Sequence, residues 1–114
     1  MQDDKIFTHE DDRRVLIEWI KDTNVRTSKV VIAKSGAAVG DHYHNKKDEI
    51  FLLLIGKAKR VIIGEKEEFD IPALKKWVVK KGEYHLFELE PGSILLGACT
   101  KPFDPSDEIK RNNV

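Results

Sequence analysis

Two histidines one residue apart, His42 and His44, are followed by adjacent acids, Asp48 and Glu49, and then by an unbroken apolar run from Ile50 to Ile55 that stops at Gly56. On a β-strand successive side chains point to opposite faces, so His42 and His44 share one face and Tyr43 takes the other. Two neutral imidazoles held side by side on a rigid strand are a natural start for a metal site, because imidazole is a common metal ligand. An acid on an adjoining strand can supply a further ligand. Glu49 is in phase with Phe51, Leu53 and Ile55, and Asp48 with Ile50, Leu52 and Leu54. Both phases are apolar, so alternation leaves either acid available.

The spacing goes further. Gly36, five residues, His42-Tyr43-His44, four residues, Glu49, six residues and Gly56 make a pattern that resembles the first motif of the cupin superfamily. Downstream, Lys80-Lys81-Gly82-Glu83-Tyr84-His85 matches the Gly and His of the second cupin motif, with Lys80 where that motif has Pro and Leu89 where it has Asn. The resemblance implies an all-β, jelly-roll barrel or sandwich. It selects Glu49 over Asp48 and joins His85 to the set. By the same resemblance His42, His44, Glu49 and His85 would coordinate one divalent metal. Three imidazoles and a carboxylate suit Fe, Mn, Ni, Co or Zn. The plainer alternative is that the histidines are hydrogen-bonding or general-base groups with no metal.

The elements that must position these residues read as many short strands. Arg14–Ile20 alternates and reads as a strand, Lys21–Thr27 as a polar loop, and Lys29–Lys34 as a second strand. Ser35–Gly40 is small and glycine-bearing, suited to a tight turn or bulge leading into the histidines. Ile50–Ile55 and Ile94–Thr100 are nearly uncharged and suit central strands buried on both faces. Between them, Lys57–Ile63, Phe69–Ile71, Lys75–Val79 and His85–Leu89 alternate, with Pro72 at a strand end. Glu65–Glu68 reads as a charged hairpin tip, and Glu90-Pro91-Gly92-Ser93 as a type II turn. No stretch carries a long amphipathic helix, and there is no internal repeat. The expectation is one cupin domain over 1–114, with 1–13 a loosely held lead-in and 101–114 an irregular tail.

Composition bounds the partners. The 114 residues suffice for one domain with a real core. Lys+Arg and Asp+Glu balance at 20 each, which gives no sign of a nucleic-acid or membrane surface. No apolar run approaches a membrane span, and the charged start MQDDKIFTHEDD does not read as a signal peptide. With Cys99 the single cysteine, no internal disulfide can form, and a cytoplasmic location is expected. Short sandwich edges invite pairing, so a homodimer is expected, with the strand around Trp19 one candidate surface, although core packing is the plainer role of Trp19.

The other chemistry-bearing residues have bland readings. His9 falls outside any ligand spacing and reads as a solvated histidine. Tyr84 is out of phase with His85 and reads as a surface residue. Cys99 reads as a buried, inert thiol. Phe51, Leu53 and Phe87 could line a pocket, but plain core is the simpler role. Three functions fit a small cupin: a metal-dependent enzyme on a sugar or small organic acid (a dioxygenase, isomerase, decarboxylase or lyase); a metal-free sugar-nucleotide epimerase or ketoisomerase with a motif histidine as base; or a non-catalytic ligand-binding or sensor domain. No DNA-binding segment is expected.

Overall fold

A computed structural model describes residues 5–102 and 104–110. The strands are β1 (Phe7–Glu10), β2 (Val15–Glu18), β3 (Thr27–Ile32), β4 (Ala37–Tyr43), β5 (Glu49–Ile55), β6 (Lys57–Ile63), β7 (Lys66–Pro72), β8 (Lys75–Val79), β9 (His85–Leu89), β10 (Ile94–Cys99) and β11 (Ile109–Lys110). They form a four-stranded sheet in the order β3-β10-β5-β8 and a five-stranded sheet in the order β11-β4-β9-β6-β7, with β1 and β2 a separate two-stranded ribbon. Every pairing is antiparallel. This is the all-β jelly-roll sandwich that the cupin resemblance implies. Among the described residues no helix is long and apolar enough to cross a membrane.

The core lies between the two sheets. Phe51, Leu53 and Leu95 from the four-stranded sheet meet Ala58, Val61, Phe87 and Leu89 from the five-stranded one, all at 2% exposure or less. Strand alternation produces this, since Phe51 and Leu53 share a face and so do Phe87 and Leu89. The aromatic rings of Phe51, Phe87 and Trp77 stack in sequence, with centroids 4.7 and 5.2 Å apart. β5 and β10 are central strands, as their apolar composition predicts. On the opposite face of β5, Ile50 and Leu52 are buried too.

Several local expectations change. Within the lead-in, Phe7–Glu10 is a strand that pairs with β2, so β2 closes a hairpin with preceding residues and not with β3. The alternation of Val15 to Ile20 carries no information about which neighbour a strand will choose. The tail from Lys101 is not wholly irregular. It holds a 3-10 turn at Pro105–Asp107 and the strand β11, which pairs with His42 and Tyr43 of β4. Residues 1–4 and 111–114 of these two segments lie outside the described residues. The charged run Glu65–Glu68 is mostly strand, because the turn sits one residue earlier, at Gly64–Glu65, where Gly64 has φ +60°. The turn at Pro91–Gly92 forms as predicted, with Gly92 at φ +86° and the Ser93 N–H donating to the Glu90 carbonyl.

Candidate functional site

The four residues implied by the cupin resemblance, His42, His44, Glu49 and His85, converge from three strands and one loop. His42 ends the pairing of β4 with β9, directly opposite His85, the first residue of β9. His44 follows β4, and Glu49 opens β5 on the facing sheet. Each offers one ligand atom, and these atoms all lie within 4.8 Å of one another. The register between β4 and β9 shifts between Gly40 and His42, which makes Asp41 the extra residue of a bulge with φ +65°. A bulge re-aims the following side chain. Gly40 permits it: φ is +99°, and a Cβ there would lie 2.6 Å from the His85 carbonyl oxygen.

Both His44 Nε2 and His85 Nε2 point at one carboxylate oxygen, Glu49 Oε1, at 2.8 and 3.4 Å. The tautomer of His44 is fixed from outside the cluster. Its Nδ1 lies 2.7 Å from the Asp107 carbonyl oxygen, which can only accept, so Nδ1 carries the proton. In a neutral His44, Nε2 then presents a bare lone pair to a carboxylate oxygen. Two acceptors at 2.8 Å need a cation or a proton between them. Glu49 Oε1 is moreover buried without a hydrogen-bond partner, and buried polar atoms are normally satisfied. Donors on adjacent positions around an ion with ligand bonds of about 2.1 Å stand roughly 3 Å apart, so the 2.8 and 3.4 Å separations at Glu49 Oε1 fit a divalent transition metal. The donor set, three imidazoles and one carboxylate, fits the same group of ions.

Burial and the neighbouring charges set the protonation of the cluster. Burial holds His85 well below the ordinary histidine value, at about 4, despite the opposing pull of Glu49. Burial, with the neighbouring His44, also lowers His42. Both are therefore neutral bases at pH 7. Burial by itself would raise Glu49, but the positive field, Lys29 foremost and then His85 and His44, outweighs it and leaves the carboxyl below its usual value.

Three residues at the site were not singled out for it by sequence reasoning. Lys29 of β3 places its Nζ 3.5 Å from Glu49 Oε2 and 5.6 Å from the centre of the Phe51 ring. It stands beside Gly97, where a Cβ would meet Lys29 Cε at 3.0 Å. Its side chain is still 44% exposed, so a buried carboxylate and solvent meet through it. Asp107 sits in the tail that was expected to be irregular. Besides its carbonyl contact to His44, its buried carboxylate accepts from the N–H groups of Asn45 and Lys46 at 2.9 and 3.3 Å. Cys99 is buried as expected, but its Sγ lies 3.4 Å from Glu49 Oε2. Burial and the neighbouring Glu49 push the thiol up, so it remains a thiol. Alternation within a strand signals none of these contacts, since all three are long-range.

The remaining expectations settle simply. His9 is exposed on β1 and remote in register from the cluster. Tyr84 is half-buried and donates to the Asp41 carboxylate across the bulge, so it braces the β4–β9 end. Phe51, Leu53 and Phe87 are fully buried core, with Phe51 also 5.7 Å from the His85 ring.

Residues 9–88 match a family model described as the polysaccharide biosynthesis C-terminal domain. No curated protein matches the sequence. Among solved structures, a TDP-fucose-3,4-ketoisomerase, WlaRA, from Campylobacter jejuni superposes with a TM-score of 0.76 at 18% identity, over 94% of this chain and 86% of that one. ChmJ, a 3'-monoepimerase from Streptomyces bikiniensis in complex with dTDP-quinovose, gives 0.79 at 18% identity, over 94% and 67%. The capsular polysaccharide assembling protein CapF from Staphylococcus aureus gives 0.64 at 23% identity over 93% of this chain, which spans only 32% of CapF. At these identities the likeness is one of fold.

Proposed function

Since the chain belongs to the family of polysaccharide biosynthesis C-terminal domains, we propose that it binds a nucleotide-linked sugar and moves a proton at a carbon beside the sugar's carbonyl, as an epimerase or ketoisomerase does. Fold neighbours that act on such sugars support the substrate class. The observation that carries the reading is His42: a half-exposed imidazole at the edge of an otherwise buried cluster, held neutral at pH 7 by burial. A neutral, accessible imidazole is a competent general base. Taking the α-proton onto His42 leaves the C–H electron pair as an enolate, with negative charge on the former carbonyl oxygen. Return of a proton to the other face of the carbon gives the epimer, and return at the former carbonyl carbon, with the proton of the neighbouring hydroxyl passing to the former carbonyl oxygen, gives the isomeric ketone. The Lys29 ammonium is the nearby cation that could face the developing charge.

A second reading concerns the cluster's own chemistry and is favoured by four ligand atoms within 4.8 Å and a buried carboxylate oxygen, Glu49 Oε1, without a hydrogen-bond partner. In it His42, His44, Glu49 and His85 hold one divalent transition metal, which would polarise a carbonyl oxygen as a Lewis acid. Asp107 and Lys29 then act on the ligands, one fixing the His44 tautomer and the other offsetting the Glu49 charge.

One experiment addresses both. A panel of nucleotide-linked keto-sugars is incubated with the protein in deuterium oxide and followed by proton NMR. Loss of one α-proton signal, abolished by His42→Asn, is expected. Exchange that survives exhaustive chelation favours the histidine base alone. Exchange lost on chelation and regained with added metal favours the metal. A panel with neither binding nor exchange would sink the sugar-nucleotide reading.

A further inference from the structure

The two oxygens of Glu49 have different neighbours. Oε1 stands 2.8 Å from His44 Nε2 and 3.4 Å from His85 Nε2, and no hydrogen-bond donor reaches it. Oε2 lies 3.4 Å from Cys99 Sγ and 3.5 Å from Lys29 Nζ. The Glu49 side chain is 1% exposed, so the surrounding side chains, and not water, decide which oxygen points where. The distinction matters because a carboxylate can hold an ion through one oxygen or through both.

Strand register brings both neighbours to Oε2. Cys99 of β10 is directly opposite Glu49 of β5, so the two side chains share a face. Lys29 lies on β3, with β10 between it and β5, and is paired with Gly97. Gly97 leaves room for the lysine stem: a Cβ there would lie 3.0 Å from Lys29 Cε and 3.2 Å from both Lys29 Cγ and Phe51 Cε1. The lysine thus crosses a whole strand to reach the carboxylate. An ionised carboxylate oxygen can only accept, so in the contact with Cys99 the thiol donates. Cys99 is not among the four residues whose ligand atoms cluster. An S–H group is a weak donor, but here it is 97% buried, as its 3% exposure shows, and its acceptor is charged. A charged acceptor and a dry surrounding both strengthen a hydrogen bond.

We propose that Cys99 is a positioning residue for Glu49: its S–H holds Oε2, with the Lys29 ammonium offsetting the charge, so that Glu49 presents Oε1 alone to the three imidazoles. The thiol fixes the carboxylate without adding charge, and the lysine supplies the charge without having to fix it. Groups behind a ligating side chain set its orientation. The effect on metal affinity rests on the metal reading of the cluster; the hold on Oε2 does not. The competing role, Cys99 as a ligand through sulfur, makes opposite predictions.

Cys99 is the single cysteine of the chain, so the S–H stretching band of the Raman spectrum reports on it alone. In metal-free full-length protein the band is expected below that of an unbonded thiol. Glu49→Gln should raise it, because an amide oxygen is a weaker acceptor than a carboxylate. In a zinc titration the band should persist when zinc is bound. Cys99→Ala should weaken zinc binding about 10-fold, the lower end of the usual effect of such a partner. Cys99→Ser, which keeps a donor of similar size, should recover most of that loss, and circular dichroism should show a β-protein for every variant. An unshifted band that ignores Glu49→Gln overturns the proposal. Zinc affinity unchanged by Cys99→Ala overturns it too, and so does a band that vanishes as zinc binds, since Cys99 would then be a ligand. If the unaltered protein takes up no zinc, the metal reading alone falls, and the Raman comparison of Glu49→Gln with the unaltered protein decides the role of Cys99.

Discussion

His44 Nδ1 donates to the backbone carbonyl of Asp107, a residue 63 positions further along the chain, at 2.7 Å. The 3-10 turn that presents this carbonyl is itself held by capping, since Asp104 accepts from the Ser106 N–H and Asp107 accepts from the N–H groups of Asn45 and Lys46. The loop after β4 and the turn before β11 therefore fix each other, and the orientation of one imidazole depends on both.

Asp107→Ala removes a buried acceptor from two backbone donors. Leaving such donors unsatisfied costs about 1–3 kcal/mol, which urea unfolding should read directly. Partners behind a metal-ligating histidine typically carry 10- to 100-fold in metal affinity. Asp107→Ala keeps the carbonyl that meets His44 but frees the turn that aims it, so if the cluster binds a metal, calorimetric titration with zinc or manganese should show a loss on the order of 10-fold. Unchanged affinity would mean that His44 does not depend on this turn.

If the cluster holds an ion, the ion stabilises the folded chain alone. At a free concentration ~1,000 times the dissociation constant this adds roughly 4 kcal/mol. Chelation should lower the melting temperature by several degrees, and metal added back should restore it. His85→Ala should cut metal content while leaving the jelly roll intact, and His9→Ala, exposed on β1, should change neither. Elemental analysis without stoichiometric metal, together with a melting curve indifferent to added metal, would leave the histidines as bases only.

The metal-free protein should lose stability as pH falls. His85 titrates at about 4 in the fold against 6.5 for the ordinary side chain. Between those values the unfolded chain binds the extra proton, so stability rises with pH across that window and falls as pH drops through it. A difference of two to three units corresponds to on the order of 3 kcal/mol. His42 is shifted the same way and adds to the slope. Glu49, held below its usual value, contributes stability that is fully present above pH 4.5 and is lost below it. Denaturant midpoints measured in chelator from pH 7 to pH 4 should fall steadily, and a flat profile over that range would contradict buried neutral histidines. His85→Gln should flatten it.

Much of the site was legible in the chain because its residues sit at short, fixed spacings on strands. His42 and His44 share a face by alternation, and Gly40 and Gly56 mark a bulge and a tight turn. The choice of Glu49 over Asp48 was not legible from alternation, because β5 is buried on both faces and both phases are apolar. It rested on resemblance, and the structure places Glu49, not Asp48, in the cluster. Lys29, Asp107 and Cys99 were illegible as site residues for a common reason. They arrive through pairing of β10 with the strand bearing Glu49, of β3 with the far side of β10, and of β11 with the strand bearing His42. A local pattern states which way a side chain points and not which strand lies beside it. The tail was the largest miss, since Pro102, Pro105 and its charges mask a turn that is functional by position.

Gly56 tests the backbone side of the site. It joins β5 to β6 at φ +94°, and a Cβ there would lie 2.3 Å from Ser93 Oγ and 2.7 Å from Ser93 Cα. Ser93 is fully buried and its hydroxyl both accepts from the Lys57 N–H and donates to the Lys57 carbonyl. Gly56→Ala adds a left-handed penalty of about 1–2 kcal/mol to a clash with backbone that cannot yield. Chemical denaturation should show a loss of at least about 2 kcal/mol, the two effects together. Gly82→Ala is the control, because nothing lies within 4 Å of its Cβ position, so only the backbone penalty applies. Equal losses at the two positions would show that Ser93 moves aside.

Lys29 offers the sharpest test of the proposed chemistry. Its ammonium is the principal positive charge acting on Glu49 and stays half exposed. Lys29→Met keeps the length of the stem, and hence its packing over Phe51 and beside Gly97, but removes the charge. Glu49 should then titrate higher, because its largest favourable interaction is gone. If the ammonium faces an enolate oxygen, the turnover number should fall by about 10²–10³, the usual effect of deleting one such stabilising group, with little change in KM. Lys29→Arg, which keeps the charge, should recover part of the loss. If Lys29 only offsets the Glu49 charge beside a metal, Lys29→Met should instead tighten or preserve metal binding and leave deuterium exchange within a few-fold of the unaltered protein. The two outcomes differ in the size of the rate effect. A single pair of measurements, metal titration and NMR exchange on Lys29→Met, therefore separates a charge that acts on the substrate from one that acts on Glu49.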